Sequence, residues 1–208
     1  MMPVRKILPR VLVIIIPLSL GVLFSLYISQ RHGSLEGVSA TVLHEAKSLP
    51  NFVLEDHLGN EFTNKNLKGQ WSLVFFGYTH CPDICPTTLS LLNQVDQLLK
   101  NKSEVNVPKT VFISVDPARD TIAQLADYVP YFNPDFIGVT GSLQNLQVLT
   151  KSLGVAFGNE GDTGSDDYEV FHSTRIMLID PEARLKALFS FPHDVNKIAS
   201  DYSKIINS

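Results

Sequence analysis

Two cysteines are the only thiols in this chain of 208 residues, and they stand four positions apart in the segment Cys81-Pro-Asp-Ile-Cys85. An apolar run from Trp71 to Tyr78 comes shortly before them. Two thiols held close on one exposed turn can bind a soft metal ion, form a reversible disulfide or attack a peroxide. The segment is therefore the first candidate for the chemistry of this protein.

Helical spacing would allow the two cysteines to meet. Residues four apart in a helix have Cα atoms about 6 Å apart, which lies inside the range that a disulfide requires. A purely structural disulfide is the less favoured interpretation, because a loop this short removes little entropy from the unfolded chain. Two thiolates alone suit Cu(I), Zn(II) or Hg(II), so a third ligand must narrow the choice of metal.

Imidazole is the obvious third ligand, and the chain has six histidines. Three of them fall in segments that are interpreted as solvated surface: His32, His44 and His57. We expect His80 to support the site from outside or to face a partner, because consecutive residues at a strand end point to opposite sides. His193 is interpreted as a linker residue. His172 precedes a predicted strand, and the pattern alone leaves its role open.

The elements next to the cysteines would place them at the end of a buried strand. The run from Trp71 to Tyr78 is typical of a strand covered on both faces. Residues 86–101 repeat leucine and valine at helical spacing, and Pro86 suits the first position of that helix, which makes Cys85 its N-cap. The partial positive charge of a helix N-terminus lowers the pKa of a thiol and so supplies thiolate.

The remaining pattern alternates strands and helices, which predicts parallel βαβ units. The predicted elements are a hairpin at 52–56 and 61–63, a strand at 109–115, a helix at 121–132, a strand at 136–139, a helix at 143–157, a mobile loop at 158–167, a hairpin at 174–180 and 185–191, and a helix at 194–207. The fold class predicted is α/β: a thioredoxin-like fold with an N-terminal β-hairpin and a late hairpin insertion, preceded by one transmembrane helix.

The N-terminus predicts a membrane anchor. Residues 11–28 carry no charge over 18 positions, which is enough to cross a bilayer core of about 30 Å. Three basic residues precede the span and keep the N-terminus in the cytoplasm: Arg5, Lys6 and Arg10. A cleaved signal peptide ending near Ala40 is the alternative. We therefore predict an anchor at 1–30, a polar tether at 31–47 and a domain at 48–208, in a bacterial inner membrane with the domain in the periplasm.

The net charge of the residues after residue 30 limits the kinds of partner that they can bind. All 21 acidic residues follow residue 30 with 14 of the 17 basic ones, which leaves a formal net charge of −7. An acidic domain of this kind disfavours nucleic acid as a partner. A periplasm is kept oxidising, so neighbouring thiols there close to a disulfide unless a thiol reductase reopens them.

Four segments resemble the Sco/SenC family of copper proteins, which serve the assembly of cytochrome c oxidase. The first runs from Phe76 to Pro86 and reads FGYTHCPDICP. The others are SVDPARDT at 114–121, FIGVTG at 136–141, and His172-Ser173 leading to Asp180-Pro181. The resemblance extends over roughly residues 48–206. It implies that Cys81, Cys85 and His172 bind one copper ion, as Cu(I) or Cu(II), and that the copper goes to the copper-bearing subunit of the oxidase.

Two positions depart from the family pattern. The family often carries a carboxylate immediately before the histidine, where this chain has Phe171, and a glycine in the Asp-Pro turn, where it has Ala183.

Asp116 and Arg119 invite a functional interpretation, but we expect Asp116 to cap the following helix and Arg119 to pair locally. The acids of the loop at 158–167 do not follow the spacing of a calcium-binding EF-hand.

The leading hypothesis from the sequence is a membrane-anchored copper chaperone that is not an enzyme, with a thiol reductase and possibly another copper donor as further partners. A thiol-disulfide oxidoreductase that keeps the oxidase cysteines reduced, or a redox sensor, is the alternative. A peroxidase is disfavoured because Tyr78 stands where the peroxiredoxin pattern requires threonine. A structural zinc site is disfavoured because such sites are normally closed by four ligands.

Overall fold

A computed structural model describes residues 37–102, 106–160 and 168–208. The predicted membrane span at 11–28 lies outside these ranges, and within them no helix is both long and apolar enough to span a bilayer. By its internal contacts, the chain divides into two compact units. Val38–Asp201 contains the sheet, and the described part of the other unit consists of Gly37 and Tyr202–Ser208.

Eight strands form one mixed sheet in the order β1-β10-β9-β4-β5-β6-β2-β3. Their bounds are Thr41–Ser48 (β1), Val53–Asp56 (β2), Glu61–Thr63 (β3), Ser72–Gly77 (β4), Lys109–Ser114 (β5), Ile137–Thr140 (β6), Ile176–Ile179 (β9) and Arg184–Phe189 (β10). Phe157–Glu160 (β7) and Glu169–His172 (β8) pair with each other as a separate two-stranded sheet.

The centre of the sheet is the parallel trio β4, β5 and β6. All six residues of β4 are buried, as the apolar run in the sequence predicts for a strand with both faces covered. Phe75, Phe76 and Phe112 are completely buried there. The predicted α/β, thioredoxin-like architecture is thus present, and the carboxyl end of β4 leads directly to the cysteines.

Five helices are found in the described residues: Asn64–Leu67 (α1), Ile84–Lys100 (α2), Ile122–Phe132 (α3), Leu143–Leu153 (α4) and Val195–Ile206 (α5). Helix α2 begins at Ile84 after the N-cap Asp83, so the prediction that Cys85 is the N-cap is wrong: it lies in the first turn. Helix α4 ends four residues earlier than predicted, because Gly154 adopts the left-handed conformation that terminates a helix.

Strand β1 was not expected, since the sequence suggested a polar tether up to residue 47. Thr41–Ser48 pairs antiparallel with β10 at one edge of the sheet. The buried carboxylate of Asp201 holds the entry to this strand by accepting hydrogen bonds from the backbone of Ser39 and Ala40 and from the Ser39 hydroxyl, at 2.6 to 2.9 Å.

Both predicted hairpins are present. Strands β2 and β3 pair with Leu54 opposite Phe62, and β9 pairs with β10 around a turn that Asp180 holds by accepting from the backbone N–H of Glu182 and of Arg184. Ala183 has a φ of 59°, the left-handed region that a glycine adopts at less cost. The effect of having alanine where the family has glycine is therefore confined to this turn.

Candidate metal centre

Three elements bring the predicted site residues together. Cys81 lies in the turn after β4, Cys85 in the first turn of α2, and His172 at the end of β8. Their sulfur and nitrogen ligand atoms all lie within 4.8 Å of one another, and Cys85 Sγ is 3.4 Å from His172 Nε2. Both cysteines are free thiols, with Cys85 buried and Cys81 partly exposed. This arrangement offers two sulfur donors and one nitrogen donor to a single ion.

Gly77 makes room for the buried sulfur. A Cβ atom at this position would lie 2.6 Å from Cys85 Sγ and 2.7 Å from the ring of Phe112. Such distances are below any ordinary contact, so the last residue of β4 has to be glycine for α2 to start this close to the strand. The same close packing keeps Cys85 out of water while Cys81, one turn earlier, remains accessible.

The ring of His172 is fixed in one orientation. Its Nδ1 lies 3.1 Å from the carbonyl oxygen of Ser173, which can only accept, so Nδ1 carries the hydrogen and Nε2 faces Cys85. The edges of two aromatic rings pack against it, Phe75 at 5.9 Å and Tyr78 at 5.8 Å between centroids. The Ser173 carbonyl thus gives His172 Nδ1 a hydrogen-bond partner that fixes the tautomer.

Phe171 itself lies on the other side of β8. It is 47% exposed, whereas its neighbour Val170 is buried, as alternation along a strand requires. Its ring packs over Gly158, its partner in β7, where a Cβ would come within 2.7 Å of the ring. The unusual residue therefore contributes to the hairpin surface and leaves the Cys–Cys–His group unchanged.

The two thiols are electrostatically unequal. The pKa of Cys81 is lowered far below its usual value, chiefly because the Cys85 thiol donates a hydrogen bond to its thiolate, with further support from backbone N–H groups at the start of α2. The pKa of Cys85 is raised by that same hydrogen bond and by burial. One proton is therefore held by the pair, on Cys85, and Cys81 is the thiolate.

Asp120 is a site residue that the sequence analysis missed. Its fully buried carboxylate accepts hydrogen bonds from the Thr79 backbone (2.9 Å), the Thr79 hydroxyl (2.6 Å) and the Ser114 hydroxyl (2.5 Å). His80 Nδ1 lies 3.7 Å from the same carboxylate, with half of the ring exposed. The carboxylate of Asp120 thus anchors the segment that leads into Cys81. In the sequence, Asp120 stood out only as the second aspartate of the SVDPARDT segment.

The expected cap at Asp116 is wrong. Helix α3 is capped by Thr121, whose side chain accepts from the backbone of Gln124. Arg119 does pair locally, since its Nε lies 2.6 Å from Asp116 Oδ2. Asp116 also accepts a hydrogen bond from the hydroxyl of Tyr168, immediately before β8, at 2.6 Å. A pair interpreted as local therefore extends to the strand that carries His172.

Two of the other histidines that the structure describes form hydrogen bonds to the backbone. His57 Nδ1 accepts from the backbone N–H of Gly138 at 3.0 Å, and His193 Nε2 donates to the carbonyl of Thr174 at 2.8 Å. His44 is exposed on β1, and His32 lies outside the described residues. His193 was expected to be a linker residue; its hydrogen bond to Thr174 also holds the residues that follow His172.

Comparison with known proteins gives a family match. The profile of the SCO1/SenC family matches residues 41–207. A Stutzerimonas stutzeri protein whose name ascribes copper binding to it is 36% identical over 191 residues, which cover 92% of this chain and 91% of that one. The protein SCO1 homolog 1 of Arabidopsis thaliana mitochondria is 40% identical over 148 residues, which cover 71% of this chain and 44% of that longer one.

Solved structures agree with this match. The crystal structure of Arabidopsis thaliana ScoI with copper bound superposes with a TM-score of 0.71 at 38% identity, covering 76% of this chain and 97% of that one. The crystal structure of yeast Sco1 with copper bound gives a TM-score of 0.72 at 34% identity, covering 78% and 90%. The similarity thus includes the fold as well as the sequence.

Replacing Gly77 by alanine should destabilise the protein by about 2 kcal/mol, because the added methyl group overlaps the Cys85 sulfur and the Phe112 ring in a packed interior. Urea unfolding of the reduced protein measures this change. Gly158→Ala is the matched control: its methyl group meets only the ring of Phe171, which is exposed and can move, so we expect a cost below about 0.5 kcal/mol. Equal costs would contradict the packing described for Gly77.

Alkylation with iodoacetamide should modify Cys81 and spare Cys85 between about pH 5 and 7, because only Cys81 is thiolate there. Since its pKa lies below this range, the rate should change little with pH; mass spectrometry locates and times the modification. In Cys85→Ala the largest cause of the low pKa is lost, so the pKa of Cys81 should rise towards that of an ordinary thiol and the rate should increase with pH. Equal labelling of both cysteines in the folded protein would refute the assignment.

Proposed function

The chain belongs to the SCO1/SenC family, and we propose that it is a membrane-anchored metallochaperone that binds one copper ion through Cys81, Cys85 and His172. In this proposal copper is cargo, delivered to the copper-bearing subunit of cytochrome c oxidase while the oxidase is assembled. The anchor, the periplasmic location, the reductase partner and a further copper donor are parts of the proposal that rest on the sequence.

The observation that carries the proposal is the cluster of two sulfurs and one imidazole nitrogen within 4.8 Å. Thiolates suit Cu(I), and an imidazole makes Cu(II) acceptable as well, so this donor set can hold copper in either state. A structural zinc ion would require a fourth ligand, and among the described residues the cluster offers three. Binding would displace the one proton that the pair retains on Cys85.

The site also has the properties that release of cargo requires. Cys81 is partly exposed, and His172 lies on a two-stranded hairpin outside the main sheet. A partner's sulfur or nitrogen can therefore approach the ion from the Cys81 side while one of the chain's own bonds to copper breaks. Such an exchange moves no electron, so the ion keeps its oxidation state.

His172→Ala should weaken Cu(I) binding at least about tenfold, because one of three donors is lost and two sulfurs alone remain. Anaerobic titration of the reduced domain against a chromophoric Cu(I) chelator measures the affinity and should give one copper per wild-type domain. His44→Ala, which removes an exposed histidine on the edge strand, is the matched control and should bind like the wild type.

Incubation of the loaded domain with the apo copper domain of the oxidase subunit then tests delivery. Movement of copper to that domain supports the chaperone function. Unchanged copper affinity in His172→Ala would refute the ligand set, and copper that stays on this chain would refute delivery.

A second candidate function is thiol-disulfide exchange with the cysteines of the same oxidase subunit. The observation that favours it is the unequal pair, with an accessible thiolate at Cys81 and a buried thiol at Cys85. Cys81 would attack the partner's disulfide and release one partner thiolate, which takes up the proton of Cys85. The Cys85 thiolate would then attack Cys81 Sγ in the mixed disulfide and release the second partner thiolate. The partner gains two electrons and this chain ends with the Cys81–Cys85 disulfide.

If this exchange occurs, Cys85→Ser should accumulate a mixed disulfide between Cys81 and the oxidised partner domain, because the second attack is blocked. Non-reducing electrophoresis with mass spectrometry detects it, and Cys81→Ser should form none. We expect insulin to be reduced more slowly than by thioredoxin, since the Cys-x₃-Cys segment has one residue more than the thioredoxin pattern. Insulin reduction as fast as thioredoxin's would instead make exchange the leading function.

A further inference from the structure

We propose that Asp116, Arg119 and Tyr168 are positioning residues which hold His172 beside the two cysteines and so set the rate at which bound copper leaves. This inference deepens the proposed function and rests on it for its copper readout. It concerns the strand β8, whose end carries His172, and the turn after β5, which carries the other two residues of the cluster.

Among the described residues, β8 pairs with no strand of the main sheet. Glu169–His172 pairs with the four residues of β7, and this two-stranded sheet is separate from the other eight strands. The main sheet reaches β8 through side chains, because Tyr78 hydrogen-bonds to the Val170 backbone and packs with Phe75 against the His172 ring. A two-stranded ribbon is marginally stable by itself. The distance between His172 and Cys85 therefore depends also on what holds the two ends of β8.

The end after His172 is held by backbone contacts. The Ser173 N–H donates to the carbonyl of Ala156 at 3.0 Å, and the Thr174 carbonyl accepts from His193 at 2.8 Å. These bonds connect β8 to the segment before β7 and to the segment before α5. They fix where the chain goes after His172, and they leave the opposite end of the strand to be held by other groups.

Tyr168 holds the opposite end of β8 through its hydroxyl, its backbone carbonyl and its ring. Its hydroxyl donates to Asp116 Oδ1 at 2.6 Å, and its carbonyl accepts from Arg119 Nη1 at 2.9 Å. The Arg119 guanidinium lies over its ring, with Cζ 3.7 Å from the centroid. Three different interactions thus attach the residue immediately before β8 to the turn that follows β5.

The cluster is well shielded from solvent, which strengthens it. Asp116 is 3% and Arg119 11% exposed, and their Nε–Oδ2 distance is 2.6 Å. Arg119 also lies 5.8 Å from the ring of Tyr78, which packs against His172. Removing one member of a buried charge pair costs far more than changing an exposed pair. The attachment therefore behaves as a unit, and its loss would free the start of β8.

In this proposal, release of copper requires β8 to move so that His172 can leave the ion. For the ion to pass to a partner, the bond from His172 Nε2 to copper breaks, the electron pair stays on nitrogen, and a donor atom of the partner takes its place. The longer His172 remains beside Cys85, the slower this first step. Residues that touch neither copper nor its ligands would thus control the lifetime of the loaded state.

Tyr168→Phe and Arg119→Lys test the inference. The first removes only the hydroxyl that donates to Asp116, and the second removes the planar fork that contacts Tyr168 and Asp116 together. We expect copper to leave about fivefold faster in the first and at least about tenfold faster in the second. Arg184→Lys is the matched control: it makes the same change in a pair in which the arginine is exposed, with Asp180 at the far end of β9, and should leave the rate unchanged.

Two further readouts separate positioning from a general loss of structure. In the His172→Ala background the same substitutions should no longer accelerate release, because they act through His172. In the copper-free, reduced protein they should increase hydrogen exchange at the amides of β8 while the amides of β4 stay protected. Rates unchanged in both variants, or acceleration that persists without His172, would overturn the inference.

If the wild-type domain binds no copper through His172, the proposed function fails and hydrogen exchange alone decides the positioning role. Faster exchange in β8 then supports it, and unchanged exchange overturns it. Thermal unfolding confirms that each variant is folded, and Tyr168→Phe, which keeps the ring over which Arg119 lies, is the variant least able to disturb the fold.

Discussion

The contact between Gly77 and Cys85 is the constraint on which the site depends. Because β4 ends in a residue without a side chain, α2 can begin against the strand and bury one sulfur completely. The other sulfur is then left at the surface, one turn earlier. This difference in burial, together with the hydrogen bond between them, makes a thiolate of Cys81 and a thiol of Cys85. Two chemically identical residues thereby acquire different roles.

One short segment holds both halves of the site. In the turn that follows β5, Asp120 anchors the loop that enters Cys81, and Asp116 with Arg119 anchors the strand that ends in His172. The cysteines follow the buried central strand of the main sheet, whereas the histidine comes from a small separate hairpin. A site assembled in this way can keep its two sulfurs in place while the third donor moves.

The parts that were predicted from the sequence are those fixed by local pattern. The buried strand β4 and the helix after the cysteines follow from apolar runs and helical spacing, and His172 was singled out through the resemblance. The rest depends on distant partners. Strand β1 looked like a tether because its residues are polar, and it forms because β10 and Asp201 hold it. The partner of Arg119, Tyr168, lies 49 residues away, a distance that no local pattern reveals.

The edges of the main sheet determine how easily one copy of the protein can pair with another. Strand β1, at one edge, is largely polar, carries Glu45 and Lys47 on its exposed positions and shifts register between Val42 and Lys47. Strand β3, at the other edge, is three residues long. Irregular, charged or very short edge strands are poor templates for pairing between molecules. Two copies of the protein that meet edge to edge therefore have little tendency to join their sheets.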